Sequence, residues 1–185
     1  MSAAAERAFS APDRPVALVG LMGVGKTSVG RRLAAHWGAP FVDADAEVEA
    51  AAGRSVSDIF AELGEPAFRD GERRVIARLL DGGPQVLATG GGAFAQADTR
   101  AILLERALVV WLRADPAVLA RRCARRDTRP LLRGRDPLEA LTEMAAQRHP
   151  LYAMAHVTVE TGDGPHQAVV EAVCAAVRAH GAAAR

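Results

Sequence analysis

Short apolar runs alternate with amphipathic stretches along most of this chain. Five runs of four to six residues, several rich in Val and Leu on both faces, are typical of strands that are covered on both sides of a parallel sheet. They cover residues 16–20, 40–43, 85–89, 107–112 and 156–160. Helical spacing predicts helices over residues 26–37, 45–52, 56–63, 65–80, 98–105, 116–126, 137–148 and 165–179. The alternation predicts an α/β fold with a central parallel sheet of about five strands flanked by helices.

Length and composition narrow the class of protein. The 185 residues predict a single domain over residues 15–185, preceded by a disordered extension over residues 1–14. A net charge of +1 gives no global reason to expect a nucleic-acid or membrane-surface protein. No apolar stretch approaches the roughly 20 residues of a membrane helix, and the N-terminus lacks the apolar core of a secretory signal. Cys123 and Cys174 lie outside any CxxC spacing. We therefore expect a soluble, cytoplasmic, monomeric protein without a zinc site or a disulfide framework.

A phosphate-binding motif follows the first predicted strand and opens the first predicted helix. Residues 20–27 fit GxxxxGK[ST], in which backbone N–H groups surround phosphate oxygens, a lysine reaches the β- and γ-phosphates and a hydroxyl binds Mg²⁺. Lys26 is the only lysine among the 23 basic residues. The motif predicts ATP and Mg²⁺ as ligands. The predicted nucleotide-binding residues are Gly23, Val24, Gly25, Lys26, Thr27 and Ser28.

Two carboxylates end the second predicted strand. Asp43 and Asp45 are two residues apart, so in a strand their side chains emerge on the same side at the carboxyl end of the sheet, where ligands bind. Asp43, together with Thr27, is suited to holding Mg²⁺ or its waters, and Asp45 to contacting an acceptor hydroxyl. The alternative interpretation is that the pair only caps the helix that follows.

Two further segments carry candidate chemistry. Gly90, Gly91 and Gly92 follow the third predicted strand, where they form either a nest of N–H donors for a ligand or a plain turn. Residues 121–135 hold seven arginines. With eight aromatic residues in the chain and none in this segment, a platform for stacking nucleic-acid bases is not indicated. Next to a triphosphate site, residues 121–136 instead predict a mobile lid that brings positive charge to the transferred phosphoryl group.

Taken in order, these motifs resemble those of the shikimate kinase family. The resemblance rests on residues 20–27, 41–45, 64–72, 90–92, 129–132 and 148–152 and spans nearly the whole chain. The phosphate loop is common to all P-loop kinases, whereas the combination of DxD, FR, GGG, RPLL and RxPLY is far more specific.

The resemblance implies transfer of the ATP γ-phosphate to the 3-hydroxyl of shikimate, on the route to chorismate and the aromatic amino acids. It implies that Asp45 contacts the hydroxyls of shikimate as the candidate base and that Arg69 and Arg148 bind its carboxylate. Two guanidinium groups suit this task because each can hold a carboxylate with two hydrogen bonds. It also implies that the turn of three glycines contributes backbone contacts to shikimate. Lys26, Asp45 and Arg129 are thus the predicted catalytic residues. Arg129 reaches the phosphates from the lid, and Arg122 lies on the nucleotide side.

The motifs leave other functions open, and the sequence departs from the family pattern in one loop. The alternatives are a gluconate-type or nucleoside-monophosphate kinase of the same fold, or a nucleotide-binding switch protein that phosphorylates no metabolite. Residues 161–165 lack the arginine that family members often carry near adenine. Glu72 is placed by helical spacing to orient Arg69. Trp37, His149 and Tyr152 are interpreted as packing residues.

Overall fold

The five predicted strands form one parallel sheet. The computed structural model describes residues 12–124 and 136–183. The strands are β1 (Val16–Val19), β2 (Phe41–Asp43), β3 (Val86–Ala88), β4 (Leu108–Arg113) and β5 (Val157–Glu160). Each lies within one residue of its predicted bounds. Their order across the sheet is β2-β3-β1-β4-β5, and every pairing is parallel. The fold predicted from the alternating pattern is confirmed.

Helices cover both faces of this sheet. They are α1 (Lys26–Trp37), α2 (Ala44–Ala52), α3 (Val56–Leu80), α4 (Ala97–Arg106), α5 (Pro116–Ala124), α6 (Pro137–Tyr152) and α7 (His166–Ala183), with a short 3-10 helix over Ala93–Ala95. None of the described helices is long and apolar enough to cross a membrane. Most of the predicted lid (Arg129 included) and most of the predicted N-terminal extension lie outside the described residues.

Burial explains why β1 occupies the middle of the sheet. The side chains of β1 and β3 are all buried, and in β4 only the last residue is exposed. The edge strand β5 alternates buried and exposed residues, and the edge strand β2 is only partly covered. Strands that are apolar on both faces are stable only where helices cover both faces, so the central positions go to β3, β1 and β4. The phosphate loop after β1 therefore lies at the centre of the carboxyl edge of the sheet.

A glycine divides α3 into the two helices that the sequence predicts. Gly64 has φ 79° and ψ 170°, which interrupts helical geometry at the boundary between the predicted helices. Pro66 consequently falls in the first turn of the second part, where a missing N–H costs little. Gly71 lies further inside the helix, and an added Cβ there would meet no atom within 4 Å. Nothing in the structure explains a glycine at this position.

The end predicted for the helix that contains Arg148 is wrong. Helix α6 continues through Pro150 to Tyr152, four residues beyond the predicted end at residue 148, although a proline inside a helix removes a backbone hydrogen bond. Packing outweighs the lost backbone hydrogen bond, because the Tyr152 ring is buried beside the rings of Phe94 and Trp111. The four extra residues place Arg148 and Tyr152 one turn apart on the same face of α6.

A histidine at the start of β5 completes the hydrogen bonding of β4. His156 Nδ1 accepts the backbone N–H of Val109 at 3.0 Å, just before the β4–β5 pairing begins at Val110 and Val157. Burial lowers the pKa of His156, and the positive charges of Arg14 and His180 lower it in the same direction. The neutral form, which alone can accept at Nδ1, is thus the form that the fold favours.

We expect the stability of the protein to fall as the pH drops below the ordinary histidine pKa of about 6.5, partly because of His156. Its folded pKa is depressed, so the unfolded state takes up the proton first. In His156→Asn the amide oxygen can still accept the Val109 N–H at any pH. Urea unfolding at pH 7.5 and 5.5 should show that the wild type loses about 1 kcal/mol more than this variant, the net worth of one hydrogen bond. His180→Asn keeps the acceptor but removes one of the charges that lower the pKa of His156, so it should lose less than the wild type and more than His156→Asn. Equal losses in wild type and His156→Asn would contradict this role.

Candidate active site

The phosphate loop depends on glycines that adopt backbone angles unfavourable for other residues. Gly20, Gly23 and Gly25 have φ angles of 141°, 80° and 97°. A Cβ on Gly20 would also lie 2.4 Å from the carbonyl oxygen of Leu112. Helix α1 begins at Lys26 without a side-chain cap, so its N-terminal N–H groups are suited to an anion. The sequence motif is therefore confirmed as a loop of the phosphate-binding shape.

Polar side chains connect this loop with the end of β2. Lys26 Nζ donates to the carbonyl oxygens of Gly20 at 2.8 Å and Leu21 at 3.1 Å. The Thr27 hydroxyl donates to Asp43 Oδ2 at 2.8 Å. Asp43 Oδ1 accepts the N–H of Asp45 at 3.1 Å and so caps α2. Asp43 therefore caps α2, and the same carboxylate contacts the phosphate loop through Thr27.

One cavity joins the phosphate loop to the predicted acceptor side. It has a volume of about 580 Å³ and lies at the carboxyl edge of the sheet. Most of the sequence-predicted site residues line it. These are Gly23, Gly25, Lys26, Thr27, Ser28, Asp43, Asp45, Arg69, Gly90, Gly91, Gly92, Arg122 and Arg148. Val24 belongs to the loop but is buried in the core, and Arg129 lies outside the described residues.

Two carboxylates converge on the first glycine of the turn after β3. A Cβ on Gly90 would lie 2.6 Å from Asp45 Oδ1 and 2.7 Å from Glu72 Oε1. Burial raises the pKa of Asp45, and the neighbouring charge of Asp43 adds to the rise, against opposing effects of Lys26 and Arg69. Burial likewise raises the pKa of Glu72, opposed by Arg69. The turn must be glycine here because the carboxylates occupy the space of a side chain.

The guanidinium of Arg69 is held from several sides. Its Nη1 donates to Glu72 Oε2 at 2.7 Å and its Nε to Glu65 Oε1 at 3.2 Å. The predicted contact between Arg69 and Glu72 is confirmed. The guanidinium also lies 5.0 Å from the ring centre of Phe68 and 5.8 Å from that of Phe60. Such support fixes the orientation of a side chain that is otherwise flexible.

The second glycine of the turn binds the end of α6. The Gly91 carbonyl accepts from Arg148 Nη1 at 2.9 Å and from the Tyr152 hydroxyl at 2.6 Å. A Cβ on the third glycine, Gly92, would lie 2.5 Å from Arg69 Nη2. The turn therefore brings the two predicted carboxylate-binding arginines to one side of the cavity.

On the other side of the cavity, α5 meets the loop after β5. Arg122 donates to the Gly23 carbonyl at 3.5 Å and also to the Gly162 carbonyl, while Arg121 pairs with Asp163 at 2.7 Å. Arginines of α5 thus contact the loop over residues 161–165, which itself contains no arginine. Val56, Phe60, Phe68 and His166 line the cavity without having been predicted. Phe68 precedes Arg69 in the FR motif, whereas for Val56, Phe60 and His166 the sequence carried no signal beyond amphipathic helices.

A phosphate loop that opens into the same cavity as carboxylates and guanidiniums defines a P-loop kinase that acts on a small molecule. The chain belongs to the shikimate kinase family, whose model matches residues 22–178. It is 67% identical over 165 residues to a shikimate kinase of Caulobacter vibrioides, covering 89% of this chain and 82% of that protein. A second relative, the shikimate kinase of Bradyrhizobium diazoefficiens, is 53% identical over 167 residues, which cover 90% of this chain and 81% of that protein.

Solved structures agree with the family assignment. The shikimate kinase from Acinetobacter baumannii, in complex with shikimate, superposes with a TM-score of 0.86 at 37% identity, covering 91% of this chain and 94% of that one. A gluconokinase from Sinorhizobium meliloti superposes with a TM-score of 0.63 at 22% identity, covering 94% of each chain. At that identity the gluconokinase shares the fold alone with this chain.

We expect Gly90→Ala to damage the acceptor side of the cavity. The methyl group would overlap oxygens of Asp45 and Glu72, so we predict a loss of about 1–3 kcal/mol in the free energy of unfolding and at least about a tenfold drop in turnover. The matched control is Gly71→Ala, whose methyl group enters open space in a helix. This control should gain about 0.5–1 kcal/mol at unchanged turnover. Urea unfolding and steady-state kinetics measure both effects. Wild-type behaviour of Gly90→Ala would refute the crowding argument.

Proposed function

We propose that this protein transfers the γ-phosphoryl group of ATP to the 3-hydroxyl of shikimate, giving shikimate 3-phosphate and ADP in aromatic amino acid biosynthesis. Membership of the shikimate kinase family supports this reaction. The structural observation that carries it is the single cavity in which a phosphate loop faces Asp45, Arg69 and Arg148. The predicted cytoplasmic location and monomeric state accompany this proposal as expectations.

On the nucleotide side, the proposed ATP contacts come from the phosphate loop. Gly23, Val24, Gly25, Lys26, Thr27 and Ser28 are assigned to the phosphates, and Arg122 and Arg129 to the nucleotide and the transferred group. The N–H groups at the start of α1 favour anionic oxygens, and Lys26 adds a compact positive charge.

Thr27 and Asp43 are the proposed magnesium-binding residues. Their oxygens lie 2.8 Å apart, and a hydroxyl beside a carboxylate is the hard-oxygen donor set that Mg²⁺ prefers. No group of three or more His, Cys, Asp and Glu side chains suited to a metal occurs among the described residues. This agrees with an ion bound mainly through phosphates and water. When bound, Mg²⁺ neutralises charge on the β- and γ-phosphate oxygens.

On the acceptor side, we assign the carboxylate of shikimate to Arg69 and Arg148. Each guanidinium already has a partner that fixes its direction, Glu72 in the first case and the Gly91 carbonyl in the second. A planar fork with five N–H donors retains donors for a ligand after such a contact. The glycine turn between the two arginines is assigned to backbone contacts with the bound acid.

Asp45 is the proposed base. The oxygen of the 3-hydroxyl attacks the γ-phosphorus, its proton passes to an Asp45 carboxylate oxygen, and the bond between the γ-phosphorus and the bridging oxygen breaks to release ADP. Burial raises the pKa of Asp45, so its carboxylate holds a proton more readily than a solvated aspartate. A loose phosphoryl-transfer transition state requires little base strength, and positioning of the hydroxyl by the same carboxylate contributes as well.

A panel of acceptors tests the proposed reaction directly. ADP release should depend on shikimate, with gluconate and nucleoside monophosphates at least about 100-fold lower in kcat/KM, because a site that hydrogen-bonds one substrate rejects analogues that leave its polar groups unpaired. Higher activity with gluconate or a nucleotide would overturn the assignment. ATP binding without turnover of any acceptor would indicate a switch protein instead.

We expect Asp45→Asn to bind ATP but to lose at least about 100-fold in turnover, the usual contribution of a positioned base. The same change should raise the free energy of unfolding at pH 7. The pKa of Asp45 is higher in the folded than in the unfolded state, so the folded state binds more protons and stability falls as the pH rises through that interval. The neutral amide removes this cost. Single-turnover kinetics and urea unfolding measure the two effects, and unchanged turnover would remove Asp45 from the mechanism.

A further inference from the structure

The carbonyl oxygen of Gly91 accepts two hydrogen bonds from the same helix. Arg148 Nη1 donates at 2.9 Å and the Tyr152 hydroxyl at 2.6 Å. A carbonyl oxygen has two lone pairs, so these two donors occupy its full accepting capacity. These two bonds fix the orientation of the peptide group between Gly91 and Gly92 relative to α6. Because this peptide group is planar and trans, the N–H of Gly92 points away from the Gly91 carbonyl oxygen.

The Tyr152 hydroxyl is held in place by its own ring. Tyr152 is the last residue of α6, and only 1% of its surface is exposed. Its ring stacks with Phe94 at a centroid distance of 6.0 Å and lies 5.8 Å from the ring centre of Trp111. A tyrosine ring has few rotatable bonds, so this packing determines where the hydroxyl lies. Burial also raises the pKa of Tyr152, so the hydroxyl keeps its proton and remains a donor.

Arg148, by contrast, is oriented by this carbonyl and by the Tyr152 hydroxyl beside it, whose pKa the arginine lowers against the effect of burial. Its side chain is half-buried and lines the cavity, and Gly91 is the acceptor that its Nη1 contacts. A long arginine side chain loses considerable rotamer entropy when it is fixed. An acceptor that is itself held still by a rigid donor lowers the number of orientations that the guanidinium samples.

We propose that Tyr152 is a positioning residue for recognition of the acceptor's carboxylate: by sharing the Gly91 carbonyl, its hydroxyl holds both the glycine turn and the Arg148 guanidinium in the orientation that binds the acid. The proposal rests on the proposed function, in which Arg148 contacts that carboxylate. It gives the RxxxY spacing of residues 148–152 a chemical role, since the interval of four residues brings both donors to one acceptor.

Tyr152→Phe removes the hydroxyl and retains the ring. We expect the KM for shikimate to rise about 5- to 10-fold, which corresponds to the loss of one buried hydrogen bond, while kcat and the KM for ATP stay within about twofold of wild type. If the hydroxyl served only stability, fewer molecules would be active, and kcat would fall at an unchanged KM for shikimate. That second pattern would overturn the proposal.

Trp111→Phe is the matched control. It reduces the packing around the Tyr152 ring without removing a donor to Gly91, and it keeps both an aromatic ring at position 111 and the stacking with Phe94 that hold the hydroxyl in place. We expect a lower melting temperature and a KM for shikimate within about twofold of wild type. An equal rise in KM in this variant would show that general packing, rather than the hydroxyl, sets the affinity, and would overturn the proposal.

A double-mutant cycle with Arg148→Ala separates this inference from the proposed function. If Tyr152 acts through Arg148, adding Tyr152→Phe to the Arg148→Ala variant should raise the KM for shikimate by less than a further factor of about two. If the two substitutions each raise the KM for shikimate in full and their effects add, the inference is overturned while the proposed function stands. The same holds if Arg148→Ala raises this KM and Tyr152→Phe does not. An unchanged KM in Arg148→Ala would refute the carboxylate role of Arg148 itself, and with it both proposals.

Discussion

The acceptor side of the cavity depends on a carboxylate that is removed from water. Glu72 is fully buried, one of its oxygens accepts from Arg69, and the other has no hydrogen-bond partner among the described residues. Burying an unpaired carboxylate costs much free energy. The Arg69 guanidinium is therefore held firmly beside Glu72, where its positive charge offsets this cost. Arg69 cannot turn towards solvent without leaving Glu72 unpaired. A buried charge of this kind is a poor source of net stability, and its use here is to keep one guanidinium in a fixed direction beside the cavity.

The three glycines after β3 allow charges of both signs to approach one short turn. Gly90 faces the oxygens of Asp45 and Glu72, Gly92 faces the Arg69 guanidinium, and the Gly91 carbonyl accepts from α6. At the first and third positions a Cβ would overlap a charged group. Close approach of these side chains, and not flexibility of the turn, is therefore what requires glycine. The interpretation of the segment as a plain turn does not account for these contacts.

Much of this fold could be predicted from local pattern, whereas parts of the site could not. Apolar runs locate strands that are buried on both faces, and the phosphate loop carries its conformation in the positions of its glycines. The contact between Arg69 and Glu72 follows from helical spacing alone. The role proposed for Tyr152 could not be predicted, because the predicted helix ended at residue 148 and only the folded chain brings Gly91 to the end of α6. Phe60 likewise becomes a neighbour of Arg69 only across the kink at Gly64.

The electrostatic arrangement also couples acceptor binding to the strength of the proposed base. Arg69 and Lys26 lower the pKa of Asp45, against the raising effects of burial and Asp43. In the proposed reaction, Arg69 receives the carboxylate of the acceptor and Lys26 receives phosphate oxygens. Each substrate thus neutralises a positive charge that had stabilised the ionised form of Asp45, and each displaces water from the cavity. Both effects raise the proton affinity of Asp45, whereas a Mg²⁺ ion held at Thr27 and Asp43 would lower it. The base strength of Asp45 during the proposed reaction is therefore set by the bound substrates and the metal ion together with its burial.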